Sequence, residues 1–250
     1  SRLGTLISYD DCPDCHLGSV GHDTTSTLVA CGNAHRPPGS VQPVNTSDGP
    51  YRGKRTLDLA IVMIVGVPAS VIGVGCALAV RFTSPGPIFF RQERVGMGGK
   101  TFEVWKFRTM VAGDNPIFPD ASRITTAGRV LRRLSLDELP QLVNVALGEM
   151  SIVGPRPTLP YQVERYDDHQ RRRLAVRPGL TGLAQVNGRN ALTWGERIEF
   201  DVKYVMTQSA VEDLRIILST ATTMLSGKGV DGHPTDDPLA APPAAASDQP

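Results

Sequence analysis

The chain has 250 residues, 40% of them hydrophobic and 20% charged, with a formal net charge of +1. This is ordinary for a folded protein with one sizeable core. The near-neutral balance excludes a global pull on a polyanion such as nucleic acid, and only four cysteines in this length exclude a disulfide scaffold.

Residues 1–50 are rich in Gly, Ser, Thr, Asp and Pro and lack apolar periodicity, so they read as a disordered or weakly structured arm. The arm does not read as a secretory signal, having no basic start followed by an apolar run. Its "CPDCH" stretch admits two metal readings. Cys12, Cys15 and His16 match c-type haem attachment, and Cys12, Cys15, Cys31 and His35 have spacing a structural zinc could use. No apolar framework surrounds either set, and we read the arm as metal-free.

The segment Leu59–Val80 carries 22 residues without a charge, between Asp58 and Arg81. That length crosses a bilayer. Three features favour a re-entrant helix over a spanning one. Pro68 falls near its middle and removes a helix hydrogen bond. Gly66, Gly73 and Gly75 weaken the helix further. Basic residues flank both ends, with Lys54 and Arg55 before and Arg81 and Arg91 after, which places both ends on the cytoplasmic side. Ser70 is at hand to satisfy a freed carbonyl, and Asp58 and Arg81 are expected at the interface.

Residues 83–226 read as one globular unit. "GPIFFRQERVG" and "KTFEVWKFRTM" predict a small hairpin around the turn Gly96–Gly99. Helical patterns follow in "TAGRVLRRL" and "LPQLVNVALG", then two proline-punctuated loops, "VGPRP" and "VRPGLTG". After the polar "QVNGRN" come helices in "WGERIEFDVKYV" and "SAVEDLRIILSTATTML", the last with Val211, Leu214, Ile217, Leu218 and Leu225 along one face. That face is expected in the core or on a membrane surface. Residues 227–250 read as a disordered tail. The fold class is α+β: a small, mostly helical domain with a short β-hairpin and an N-terminal re-entrant membrane helix.

From Arg91 to Arg133 there are nine Lys/Arg against four Asp/Glu, a local excess suited to phosphate or an anionic surface. Just beyond lies "LSLDELPQL". Its acids Asp137 and Glu138 read first as a cap: Ser135 and Glu138 fit an S-x-x-E box, with Leu139, Leu142, Val143, Ala146 and Leu147 as the apolar stripe and Gly148 as the stop. Pro140 disturbs that reading. As a first helical residue it leaves Asp137 and Glu138 in the turn before the helix, at an end that attracts phosphate. A nucleophilic carboxylate, a second carboxylate for a metal and nearby arginines are the parts phosphoryl transfer needs.

Taken together, "FRQERVG", "KFRTM", "LSLDELPQLVNVALGEMSIVGPRP", "VRPGLTGLAQVNGRN" and "DVKYV" resemble the bacterial sugar transferases, the monotopic polyprenyl-phosphate phosphoglycosyl transferases, over about residues 54–226. The resemblance implies a catalytic Asp137–Glu138 pair. Asp137 would attack the β-phosphate of a UDP-sugar, release UMP, and pass the sugar phosphate to undecaprenyl or another polyprenyl phosphate. Glu138 would bind Mg²⁺, and Asp213 of "VEDLRI" would be the second essential acid. Read without the resemblance, Asp213 is an exposed acid after a Ser209/Glu212 box. Arg156, held between two prolines, would clamp a phosphate, with Lys106, Arg132, Arg177 and Arg189 as further phosphate ligands. The run Arg171–Arg173 reads as surface. The resemblance also implies a place in the bacterial inner membrane, catalytic domain to the cytoplasm, beside other polysaccharide-assembly enzymes. The chain departs from the family's Ser-Pro helix break: Val71 follows Ser70, and the nearest proline is Pro68. The competing readings are a non-catalytic membrane-anchored assembly protein and a transferase that moves the sugar alone and releases UDP.

Overall fold

The computed structural model describes residues 49–111, 121–188 and 191–226. The Cys12/Cys15/Cys31 arm, Arg189 and the 227–250 tail lie outside the described residues.

Helix α1 (Lys54–Thr83) is a single 30-residue helix containing Pro68. It is the one described helix long and apolar enough to cross a membrane, with mean hydropathy 2.4 over its apolar window and only 11% of that window buried. Met63, Ile64, Val67 and Val71 are exposed, an apolar surface that water does not reward. Pro68 cannot donate to the Ile64 carbonyl one turn below it; close by, Ser70 Oγ donates to the carbonyl of Val67 at 2.7 Å.

Both ends of α1 grip the same unit. At the start, Arg55 donates to the Val145 and Ala146 carbonyls. Asp58 accepts from Ser151 Oγ at 2.9 Å and the Ile152 amide at 3.0 Å. Asp58 is thus buried in protein rather than placed at an interface, because those donors replace its water. At the far end, Cys76 and Val80 pack with Phe107 and Leu131.

Strands β1 (Phe89–Val95) and β2 (Thr101–Phe107) form the expected antiparallel hairpin, in register from Phe89↔Phe107 to Val95↔Thr101. Gly98 and Gly99 supply its positive-φ turn. Helix α2 (Thr126–Arg133) is capped by Thr125, whose side chain accepts from the Gly128 amide. A 3₁₀ turn over Leu136–Glu138 leads to α3 (Gln141–Leu147), which Gly148 ends at φ 88°. The two proline loops contribute short strands β3 (Ser151–Val153) and β4 (Gly179–Thr181), a parallel pair that periodicity over three residues could not reveal. Gly154 and Gly179 face each other so closely that a Cβ on Gly179 would stand 2.1 Å from the Gly154 nitrogen.

Short helices α4 (Pro160–Glu164), α5 (Asp168–Arg171) and α6 (Leu183–Asn187) precede α7 (Trp194–Thr207) and α8 (Ala210–Ser226). A Thr193/Glu196 capping box starts α7. The main core joins β2, α3, β3, α7 and α8 through Val104, Val145, Met150, Ile152, Tyr204 and Ile216.

Two helices turn only part of their apolar stripes to the core, Leu142 in α3 and Ile217 in α8. In α3 the buried residues are Gln141, Asn144 and Val145, while Val143 and Leu147 are exposed. The reason is Asn144: its Nδ2 donates to the Glu103 carbonyl and its Oδ1 accepts from the Trp105 amide, so it closes the open edge of β2. In α8, Asp213 and Ile216 face the core while Val211, Leu214 and Leu218 are exposed, because Asp213 is drawn inward by its donors.

Candidate active site

Asp137 and Glu138 lie on the 3₁₀ turn between α2 and α3. Ser135 precedes them in a left-handed conformation, φ 54°, the only described non-glycine residue with positive φ. A serine held there stores backbone strain, and it turns the chain so that the acids stand one turn before α3. The expected capping box is absent: Ser135 makes no side-chain cap bond. Glu138 points elsewhere because two cations claim it. Its Oε1 accepts from Lys106 Nζ at 2.7 Å and from Arg156 Nη2 at 2.7 Å, and Arg156 Nη1 reaches Oε2 at 3.5 Å. Lys106 comes from β2 and Arg156 from the loop after β3, so three separate elements converge.

Burial works to push the Glu138 carboxyl up, but Arg156 and Lys106 overcome it and hold Glu138 well below the ordinary carboxylate range. Asp137 is shifted the other way. Burial raises it, then the Glu138 charge raises it further, against the pull of Lys106, Arg132 and Arg156. Among the described residues none hydrogen-bonds to the Asp137 carboxylate. One acid is therefore locked as an anion, and its neighbour keeps its lone pairs beside three cations. Lys106 is itself pushed down by burial, with Glu138 opposing.

Among the described residues no group of three or more His, Cys, Asp or Glu could hold a metal alone. The pair still suits a hard cation shared with substrate phosphate. Asp137 and Glu138 are adjacent oxygen donors, and Glu138 Oε2 carries only the long 3.5 Å contact.

The other predicted residues are placed elsewhere. Asp213 is fully buried. Its Oδ2 accepts from Lys54 Nζ at 2.6 Å and Tyr51 Oη at 2.7 Å, and its Oδ1 from Tyr204 Oη at 2.7 Å. It is thus neither the exposed helical acid of the simple reading nor in contact with Glu138; it ties α8 to the start of α1. Arg177 donates Nε to the Gly148 carbonyl at 2.8 Å and lines a small cavity with Lys54, Asp58 and Tyr204, on the Asp213 side.

Two arginines near Arg156 escape the sequence reading. Arg94 donates to the Pro157 carbonyl at 3.2 Å, and burial together with the Arg156 charge pushes it down to about 10. Arg173 is not surface, as the run Arg171–Arg173 suggests; its side chain is 2% exposed and paired with Asp201. Tyr166 and Asp201 draw it inward, while Arg171 and Arg172 stay partly exposed. Asp201, in "DVKYV", is the available signal.

The sequence profile of the bacterial sugar transferases matches residues 50–227. The chain is 43% identical over 180 residues to an uncharacterized sugar transferase, EpsL, of Bacillus subtilis, covering 71% of this chain and 89% of that protein. It is 39% identical over 196 residues to the exopolysaccharide production protein ExoY of Sinorhizobium fredii, covering 70% and 87%. It is 41% identical over 180 residues to the UDP-glucose:undecaprenyl-phosphate glucose-1-phosphate transferase of Escherichia coli, covering 67% of this chain but 39% of that longer protein. The chain belongs to the bacterial sugar transferase family and is, by class, a phosphoglycosyl transferase.

Proposed function

We propose that this chain transfers a sugar 1-phosphate from a UDP-sugar to a membrane polyprenyl phosphate, through a phosphoryl-aspartate on Asp137. The observation that carries this reading is the division of labour in the acid pair: Glu138 is engaged by Lys106 and Arg156, while adjacent Asp137 accepts no hydrogen bond among the described residues. In the first step an Asp137 oxygen attacks the β-phosphorus. The bond from that phosphorus to the α–β bridging oxygen breaks, and UMP leaves. In the second step a phosphate oxygen of the polyprenyl phosphate attacks the same phosphorus, forming the diphosphate and freeing Asp137. Arg156, Lys106 and Arg132 stabilise charge on the transferring phosphoryl group. Glu138 would hold Mg²⁺, which would supply further neutralisation of phosphate charge.

The polyprenyl phosphate reaches the site from the bilayer that α1 enters. Both ends of α1 pack on one unit, which favours a re-entrant helix with both ends on the cytoplasmic face of the inner membrane. Relatives named for transfer of glucose 1-phosphate make UDP-glucose the first donor to try, and the product would feed exopolysaccharide assembly. The test is nucleotide release in nanodiscs with Mg²⁺, undecaprenyl phosphate and a panel of UDP-sugars, with Asp137→Asn alongside. UMP release with one donor, lost in the variant, is expected. Release of UDP would overturn the reading.

A further inference from the structure

Arg156 protrudes from a loop whose main chain is held at nearly every carbonyl. Val153 O accepts from Tyr204 Oη at 3.1 Å, Pro155 O from the Gly179 amide at 2.8 Å, and Thr158 O from the Val95 amide at 2.9 Å. The carbonyls of Arg156 and Pro157 accept from two guanidinium groups, Arg173 Nη2 at 2.9 Å and Arg94 Nη1 at 3.2 Å. Pro155 and Pro157 have no amide hydrogens to anchor the loop from within, so these donors from outside decide where the Arg156 side chain starts.

Arg173 is the buried one with partners of its own. Its Nη1 donates to Tyr166 Oη at 2.5 Å, and its Nη2 is shared between the Arg156 carbonyl and Asp201 Oδ2. A buried arginine and aspartate arranged only for mutual stability would close a two-pronged fork. Here they do not: Arg173 Nε and Asp201 Oδ1 are both buried without a partner among the described residues. The second arm of the fork is given up while Nη2 reaches the Arg156 main chain. Asp201 also acts on Arg156 through space, favouring its charged form.

We infer that Asp201, Arg173 and Tyr166 form a positioning relay that sets the Arg156 guanidinium against Glu138 and the substrate phosphate beside Asp137. None of the three touches the acid pair; they act through the Arg156 backbone. The inference rests on the phosphoglycosyl transfer reading above for what Arg156 does. The physical reason for a large effect is that a displacement of about 1 Å in a charge-stabilising group costs about 10²-fold in rate.

The experiment is a double-mutant cycle on the full chain in nanodiscs, with Arg173→Met, Arg156→Ala and the double variant, reading kcat for UMP release and the affinity for UDP by calorimetry. Arg173→Met is expected to lower kcat about 30- to 100-fold with Arg156 present, and less than about threefold in the Arg156→Ala background, if position is what is lost. UDP affinity follows the same pattern, and it does not require turnover, so the relay is judged even if UMP release fails and the functional reading falls. Equal losses in both backgrounds would overturn the relay and leave Arg173 a structural residue. If Arg173→Met does not fold, Asp201→Asn and Tyr166→Phe, near-isosteric changes, enter the same cycle. Recovery of kcat by Arg173→Lys, which can donate to the Arg156 carbonyl, supports the relay; melting temperature alone recovering contradicts it.

Discussion

Two carboxylate–lysine pairs in this protein share chemistry and differ in setting. Glu138 accepts from Lys106 at 2.7 Å, and Asp213 accepts from Lys54 at 2.6 Å. The Glu138 side chain keeps 15% exposure, has an oxygen with only a long contact, and adjoins an acid that accepts no hydrogen bond among the described residues. Asp213 is sealed at 0%, and both of its oxygens are filled by Lys54, Tyr51 and Tyr204. The first pair stands beside an open carboxylate; the second is enclosed by three donors and holds α1 onto α8. What distinguishes the two carboxylates is the state of their neighbours, not the ion pair itself, and on the proposed reading that difference separates a reacting site from a fastening one.

That contrast breaks in a definite order. Asp137→Asn lowers UMP release by about 10⁴-fold or more, since a lost nucleophile has no substitute. The same variant melts higher than wild type at neutral pH, read by scanning calorimetry. Asp137 is pushed up in the folded protein, so its ionised form opposes folding above its unfolded value, and the amide removes that opposition.

Arg156→Ala and Lys106→Met follow, each lowering kcat by about 10²- to 10³-fold. Glu138 loses one of its two cationic partners in each variant. Its depressed pKa gives stability that is present above the unfolded value, about 4.3, and is lost as pH falls through the folded one, so both variants flatten the acid side of the stability curve.

Asp213→Asn acts on the fold. It takes away the nearer carboxylate of buried Lys54, leaving it only Asp58 at 3.6 Å, and costs about 3 kcal/mol by denaturant titration. Lys54→Met combined with Asp213→Asn costs less than the two single variants summed, because both remove one and the same ion pair. An additive double variant would remove the fastening role.

The smallest effect is on the pH profile. The acid limb of kcat/KM lies above the ordinary aspartate value of about 3.9. Arg132→Gln moves that limb upward, since Arg132 pulls Asp137 down.

Much of the site is legible in short sequence windows. The acid pair, the proline-flanked Arg156 and the hairpin carrying Lys106 each lie in a short window, but it is the motifs taken together that give them a role. The Asp213 cluster does not, because Tyr51 and Lys54 lie 162 and 159 residues away from it. Arg173 is hidden in a run of three arginines, where only tertiary packing tells the buried one from its neighbours. The faces of α3 and α8 mislead for a related reason. Periodicity groups apolar residues on one side, but beside a helix long and apolar enough to cross a membrane that side need not be the core. Leu147 and Val211 are exposed, while Asn144 and Asp213 turn inward to waiting partners.

The most direct measurement is intact mass spectrometry of the protein incubated with Mg²⁺ and its UDP-sugar donor in the absence of polyprenyl phosphate. The account predicts a mass gain of one sugar phosphate, mapped to Asp137, absent from Asp137→Asn, and discharged on adding undecaprenyl phosphate. Turnover to the lipid-linked product with no covalent adduct at any time would contradict it.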